Sequence, residues 1–157
     1  MKLIHKILLV ILALAVAFTL WFHWTSRLSC RATVTAARAE DIAEAFQAAA
    51  AIVHSGAAYR TFSPDDLETA EGYSLIDASI QLKNRGMYDA EWLEITVDPA
   101  DADVAVYSVS GAAGDVPAFS EGSVNLKLIT RDPTARRSVT IGYYVLGMHK
   151  SVTVPLK

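Results

Sequence analysis

The chain has 157 residues, room for one domain of ordinary size, with 52% apolar residues and a single cysteine, Cys30. One cysteine excludes an internal disulfide framework, and this apolar content excludes a disordered chain. Lys and Arg number 14 against 17 Asp and Glu. Two of the cations, Lys2 and Lys6, precede the apolar run that opens the chain, so the remainder is more acidic still and lacks the basic footprint of a nucleic-acid binder.

From Ile7 to Trp24 no Asp, Glu, Lys or Arg interrupts the apolar run, and about 18–20 such residues in a helix cross the hydrocarbon layer. Residues 7–24 are therefore expected to meet a lipid bilayer. Lys2, His5 and Lys6 stand before the run, which places the N-terminus in the cytoplasm and the body of the chain outside it. Trp21, Phe22 and Trp24 cluster at the far end, where aromatic rings favour the headgroup level; with Lys2 and Lys6 they are the expected membrane-interface residues. Ala15-Val16-Ala17 offers a small-residue cleavage site, but Phe18, Leu20, Trp21 and Phe22 carry the apolar helix past it, as a cleavable signal does not. Cys30 follows Arg27-Leu28-Ser29 rather than a lipoprotein approach and reads as a juxtamembrane thiol. Residues 1–24 are thus a signal anchor, and 25–36 a tether in which "ATVTA" has the pattern of an edge strand.

Residues 37–72 hold one amphipathic helix and a loop. In "AEDIAEAFQAAAAIVHSG" alanine is abundant, Glu40, Asp41 and Glu44 lie in the first turns, His54 lies near the end, and Gly56 supplies the stop. Ile42, Ala45, Phe46, Ala49, Ile52 and Val53 form one apolar stripe. "SPDDLETAEG" is turn chemistry.

From Tyr73 the period changes to two. Ile76, Ala78, Ile80 and Leu82 alternate with polar neighbours, as do Leu93, Ile95 and Val97. The same holds for Val104 and Val106, for Val124, Leu126 and Leu128, for Val139, Ile141, Tyr143 and Val145, and for Val152, Val154 and Leu156. Asn84-Arg85-Gly86, Asp98-Pro99, Gly111 to Pro117, Glu121-Gly122, Arg131-Asp132-Pro133 and Gly147 separate the runs. Alternation of this kind marks antiparallel strands with one buried face, and short strands at regular spacing mark a two-sheet sandwich over residues 73–157. "QLKNRGMYDAEWLEITV", a strand ending in Asn-x-Gly, a short loop past Ala90 and an alternating strand, is similar to the first hairpin of immunoglobulin-like extracytoplasmic domains of the bacterial cell-adhesion-related and fibronectin-like kind. The resemblance implies a scaffold for display or contact. The expected class is mainly β: an N-terminal transmembrane helix, then an Ig-like antiparallel β-sandwich with one amphipathic helix.

Chemistry-bearing motifs are sparse. His54 and His149 lie outside any nucleophile motif and no Gly-x-Ser-x-Gly is present, so no catalytic residue is assigned. Asp98, Asp101 and Asp103 in "VDPADADV" are the metal candidates, calcium being the ion for such hard oxygens, with Asp65, Asp66 and Glu68 as further ligands if the loops converge. The glycine and terminal glutamate of a calcium loop are missing, so a solvated acidic turn is the preferred reading and no cofactor is assigned. If Leu93, Ile95 and Val97 face the core, Trp92 faces away from it, and Tyr144 and Leu146 oppose Tyr143 and Val145. Two readings follow: the amphipathic helix lies over Trp92 and Tyr144, which is preferred because its stripe needs a partner, or Trp92, Tyr144 and Leu146 contact another protein of the cell envelope. The function expected is a membrane-anchored extracytoplasmic interaction module without catalysis; the alternative is an envelope enzyme or enzyme subunit using the acidic loops.

Overall fold

The computed structural model describes residues 2–111 and 114–156. The side chains of Lys2 and of residues 23–25 lie outside the described residues, and with them two of the interface residues named above, Lys2 and Trp24.

Helix α1 (Lys2–Thr25) carries the apolar run. Its stretch Leu3–Phe22 has a mean hydropathy of 2.5 and none of its residues is buried, Phe22 alone being partly covered by the sandwich. That length and composition suit a membrane span, and a signal sequence meets the same test. Strand β1 (Leu28–Arg38) begins almost at once, so most of the segment expected as a tether belongs to the sandwich. It pairs antiparallel with β3 (Ser74–Asn84) along its whole length, from Leu28 opposite Asn84 to Arg38 opposite Ser74. A 3₁₀ turn (Ala39–Ile42) leads into α2 (Ala43–His54), which stops at Gly56 with φ at +72°. The loop after it contains a two-residue strand, β2 (Arg60–Thr61). Then come β4 (Glu91–Asp98), β5 (Asp103–Gly111), β6 (Glu121–Thr130), β7 (Arg137–Val145) and β8 (Met148–Leu156).

The strands form two antiparallel sheets, ordered β1-β3-β6-β5-β2 and β4-β7-β8. With β1, β3, β6 and β5 taken as strands A, B, E and D, and β4, β7 and β8 as C, F and G, this is the ABED and CFG arrangement of an immunoglobulin constant-type sandwich, with α2 and β2 inserted between A and B. The alternating residues supply the core between the sheets: Ile76, Ile80 and Leu82 of β3 and Leu126 and Leu128 of β6 face Val139, Ile141 and Tyr143 of β7. Side-chain parity on a pleated strand makes this possible.

The amphipathic helix packs elsewhere than the preferred sequence reading placed it. Phe46, Ala49 and Ala50 pack on Leu75, Ala105 and Ile129, on the outer face of the five-stranded sheet, and Phe46 stacks on Tyr73 with ring centroids 5.7 Å apart. Connectivity explains the choice. Helix α2 lies in the chain between β1 and β3, neighbours in that sheet, and short connections keep consecutive elements adjacent. Of the expected stripe, Ala45 is exposed while Ala50 is buried. His54 Nε2 donates to the carbonyl of Asp66 at 2.7 Å and ties the helix end to the loop.

Candidate interaction site

Because α2 sits on the other sheet, the outer face of β4-β7-β8 is bare. Trp92 is 76% exposed and Tyr144 41%, and with Glu91 and Gly147 they line an open pocket of about 340 Å³. The backbone explains the placement of Trp92. The β4–β7 register shifts between Glu91 and Glu94, a β-bulge at which Trp92 takes φ of +56°. Between those two pairs Trp92 and Leu93 turn to the β5–β6 loop: Trp92 N donates to Asp115 Oδ1 at 3.0 Å and Leu93 N to the Gly114 carbonyl at 3.0 Å. Tyr144 meets the ring of His149 edge-on at 5.2 Å, and Gly142 leaves room for that imidazole, since a Cβ there would lie 3.2 Å from its Nε2. Leu146 is also exposed, but on the β7–β8 turn rather than on the sheet face. The structure thus joins Trp92 and Tyr144 in one pocket and leaves Leu146 outside its lining, beside Gly147 on the turn.

The junction of α1 with the sandwich lies at the same end of the molecule. The Phe22 ring is 5.8 Å from that of Tyr88, and the Lys150 ammonium lies 5.3 Å over it. Phe22, expected at the headgroup level, is therefore half-covered by the domain, whereas Trp21 and Lys6 are exposed. Tyr143, buried in the core, accepts from Leu28 N at 3.1 Å and donates to the Ser26 carbonyl at 3.4 Å. Lys150 also contacts Ser26 Oγ; burial, and then the neighbouring Arg27, lowers its pKa. Arg27, His149 and Lys150 line a second cleft, of about 470 Å³, between the start of β1 and β8. The Cys30 thiol, partly packed on the core, is pushed up to about 11 by burial.

The acidic candidates at the opposite end do not converge. Asp103 is buried in an ion pair with Arg137, its Oδ1 accepting from Nη2 at 2.8 Å and its Oδ2 from Nε at 3.1 Å. Asp98 and Asp101 are exposed on the turn beside it. Asp65 accepts from Ser63 and Tyr73 and pairs with Arg131 at 2.5 Å. Among the described residues no group of three or more His, Cys, Asp or Glu is placed to hold a metal. Alternation could not foretell this, because what decides it is Arg137, distant in sequence and brought to Asp103 by the packing of the sheet that holds β7 on the sheet that holds β5.

No protein family's sequence profile matches this chain, and no curated protein matches it. Among solved structures it is similar to the GAE domain of GGA2p from Saccharomyces cerevisiae, with 9% identity over 52% of this chain and 74% of that one and a TM-score of 0.43. It is also similar to a FixG-related protein from Vibrio parahaemolyticus, with 10% identity over 79% of this chain and 93% of that one and a TM-score of 0.34. Likenesses this distant carry no functional argument, and neither links the chain to the adhesion-related or fibronectin-like domains that its first hairpin resembles. The fold rests on the strand order: an immunoglobulin-type β-sandwich joined to an apolar helix of membrane-span length.

Proposed function

We propose that this chain is a membrane-anchored extracytoplasmic module of the cell envelope that binds another protein without catalysis. Helix α1 is its anchor, with Lys2 and Lys6 on the cytoplasmic side. The observation that carries the reading is the bare Trp92–Tyr144 pocket on the three-stranded sheet. Aromatic side chains that combine a large apolar area with few rotatable bonds dominate protein contacts, and here they stand exposed where an intramolecular partner was available but packs on the other sheet.

The test is a photo-crosslinking amino acid at Tyr144 in the full chain, irradiated in intact membranes. A discrete protein adduct, absent when the probe replaces Thr33 on β1, is the expected result. Adducts of equal intensity and pattern from both positions would overturn the assignment of the pocket. Carbonate extraction and external protease on the same membranes test the anchor and its orientation: retention in the membrane with digestion of the sandwich is expected.

A further inference from the structure

Strand register gathers three connections at one end of the sandwich. Leu28 pairs with Asn84, Lys83 with Glu121, Gly111 with Val124, and Glu91 with Tyr144. The β3–β4, β5–β6 and β7–β8 connections therefore surround the point where α1 enters β1. Among the described residues outside α1, the exposed large apolar side chains are Met87, Trp92, Phe119, Tyr144, Leu146, Met148 and Tyr59. All but Tyr59, whose hydroxyl donates to the Ile95 carbonyl, belong to this end.

Met87, Phe119 and Leu146 occupy the three connections themselves, 53%, 73% and 60% exposed. Two of them stand on left-handed backbone, Phe119 at φ of +56° and Leu146 at +50°. Phe119 is the third residue of the turn closed by Ser120 N and the Pro117 carbonyl, and Leu146 with Gly147 forms a two-residue hairpin loop with both φ positive. Glycine or asparagine takes such positions with less strain. The contrasting case is Leu67, also at φ of +50° but buried, where packing offsets the strain. Phe119 and Leu146 are exposed, so burial among the described residues does not offset it, and strain of this kind collects at functional sites such as ligand clamps.

What lies opposite them follows from α1. Only Ser26 and Arg27 separate its last residue from Leu28, and those three steps along the chain reach no further than about 11 Å. With Phe22 packed on Tyr88 there is no slack, so a bilayer crossed by α1 has its surface against these connections. We propose that this end of the sandwich is seated on the bilayer, with Met87, Phe119 and Leu146 inserted at the boundary of headgroups and acyl chains. This rests on the anchor reading above and leaves the Trp92–Tyr144 pocket just above the lipid, open to a protein partner. The contact is apolar rather than electrostatic: Arg27, Lys83, Arg85 and Lys150 are matched at this end by Asp89, Glu91, Asp115 and Glu121. Asp89 and Asp115 accept from Ala118 N and Trp92 N, holding the loops in place. The anchor makes insertion intramolecular, so shallow apolar contacts suffice.

The experiment uses the full chain with Cys30→Ala, reconstituted into zwitterionic lipid vesicles. An environment-sensitive fluorophore is attached in turn to Met87→Cys, Phe119→Cys, Leu146→Cys, to Asp101→Cys at the far end, and to Leu12→Cys within α1. The expected result is blue-shifted emission at positions 87, 119 and 146, quenching by lipid-borne nitroxide, and several-fold protection from aqueous iodide relative to position 101, unchanged in high salt. If position 12 is lipid-shielded while 119 and 146 match 101, the seating is overturned and the anchor stands. If position 12 is itself open to iodide, the anchor reading fails. Shielding of 119 and 146 in native membranes but not in these vesicles would assign the surface to a protein instead and also overturn the proposal.

Discussion

Leu146 shows how one side chain can work against its own backbone. A left-handed conformation costs a β-carbon-bearing residue about 1–2 kcal/mol, and asparagine, followed here by Gly147, is the natural occupant of such a loop. Leu146→Asn is therefore expected to raise the stability of the sandwich by roughly 0.5–1 kcal/mol in urea denaturation, while lowering lipid quenching of a probe at position 119. Cys30 makes a different prediction at the same scale. With its thiol pushed up to about 11, the reactive thiolate is scarce at neutral pH. Alkylation of the folded chain, followed by mass shift, is expected to run roughly a hundredfold slower than in urea, since each unit of pKa changes the thiolate fraction tenfold. Alternation in the sequence put Trp92 and Tyr144 on an outer face. It could not report the bulge that tips Trp92 outward, because that depends on Asp115 and Gly114, more than twenty residues away.

At the scale of elements, the ends of the strands are held by different means. At the end remote from α1, the Asp103–Arg137 pair ties β5 to β7 across the two sheets, and Arg137 also donates to the Asp132 carbonyl at 2.8 Å and to Thr130 Oγ1 at 3.3 Å. Removing one partner strands a buried charge, so Asp103→Ala is expected to cost about 3–5 kcal/mol in chemical denaturation. Asp103→Ala with Arg137→Met should recover a large part of that, because the loss lies in the orphaned guanidinium rather than in the pair. Calcium should leave the melting temperature of the wild-type domain unchanged, since both oxygens of Asp103 already have partners. Helix α2 teaches the complementary lesson. Its stripe was legible at helical spacing, yet its docking face was set by apolar residues such as Leu75, Ala105 and Ile129, which lie on the polar-side parity of their strands and carry no pattern of their own.

For the whole molecule the consequential feature is that the apolar helix α1 runs almost directly into a strand of the sandwich. Strand β1 runs from the helix junction into an eleven-residue ladder with β3, and Cys30, Ala32 and Val34 pack on the central core. A chain beginning at Ser26 is therefore expected to fold and melt cooperatively, and one beginning at Ala39 to lose cooperative melting and aggregate, because the edge of β3 is then unpaired and the core uncovered. Thermal melts followed by near-ultraviolet circular dichroism separate the two outcomes. If both chains melted alike, β1 would be the detachable tether its composition suggests.

The amino-acid order by itself determined the apolar helix, the alternating strands and hence a two-sheet sandwich, since periods of 3.6 and 2 follow from local backbone geometry and one-sided burial. The immunoglobulin-type strand order, the sheet on which α2 rests, the pairing of Asp103 with Arg137, and the gathering of Met87, Phe119 and Leu146 around the helix exit were decided only by tertiary structure. Each depends on which distant strands become neighbours, and that choice is made by packing the whole core at once, not by any window of sequence.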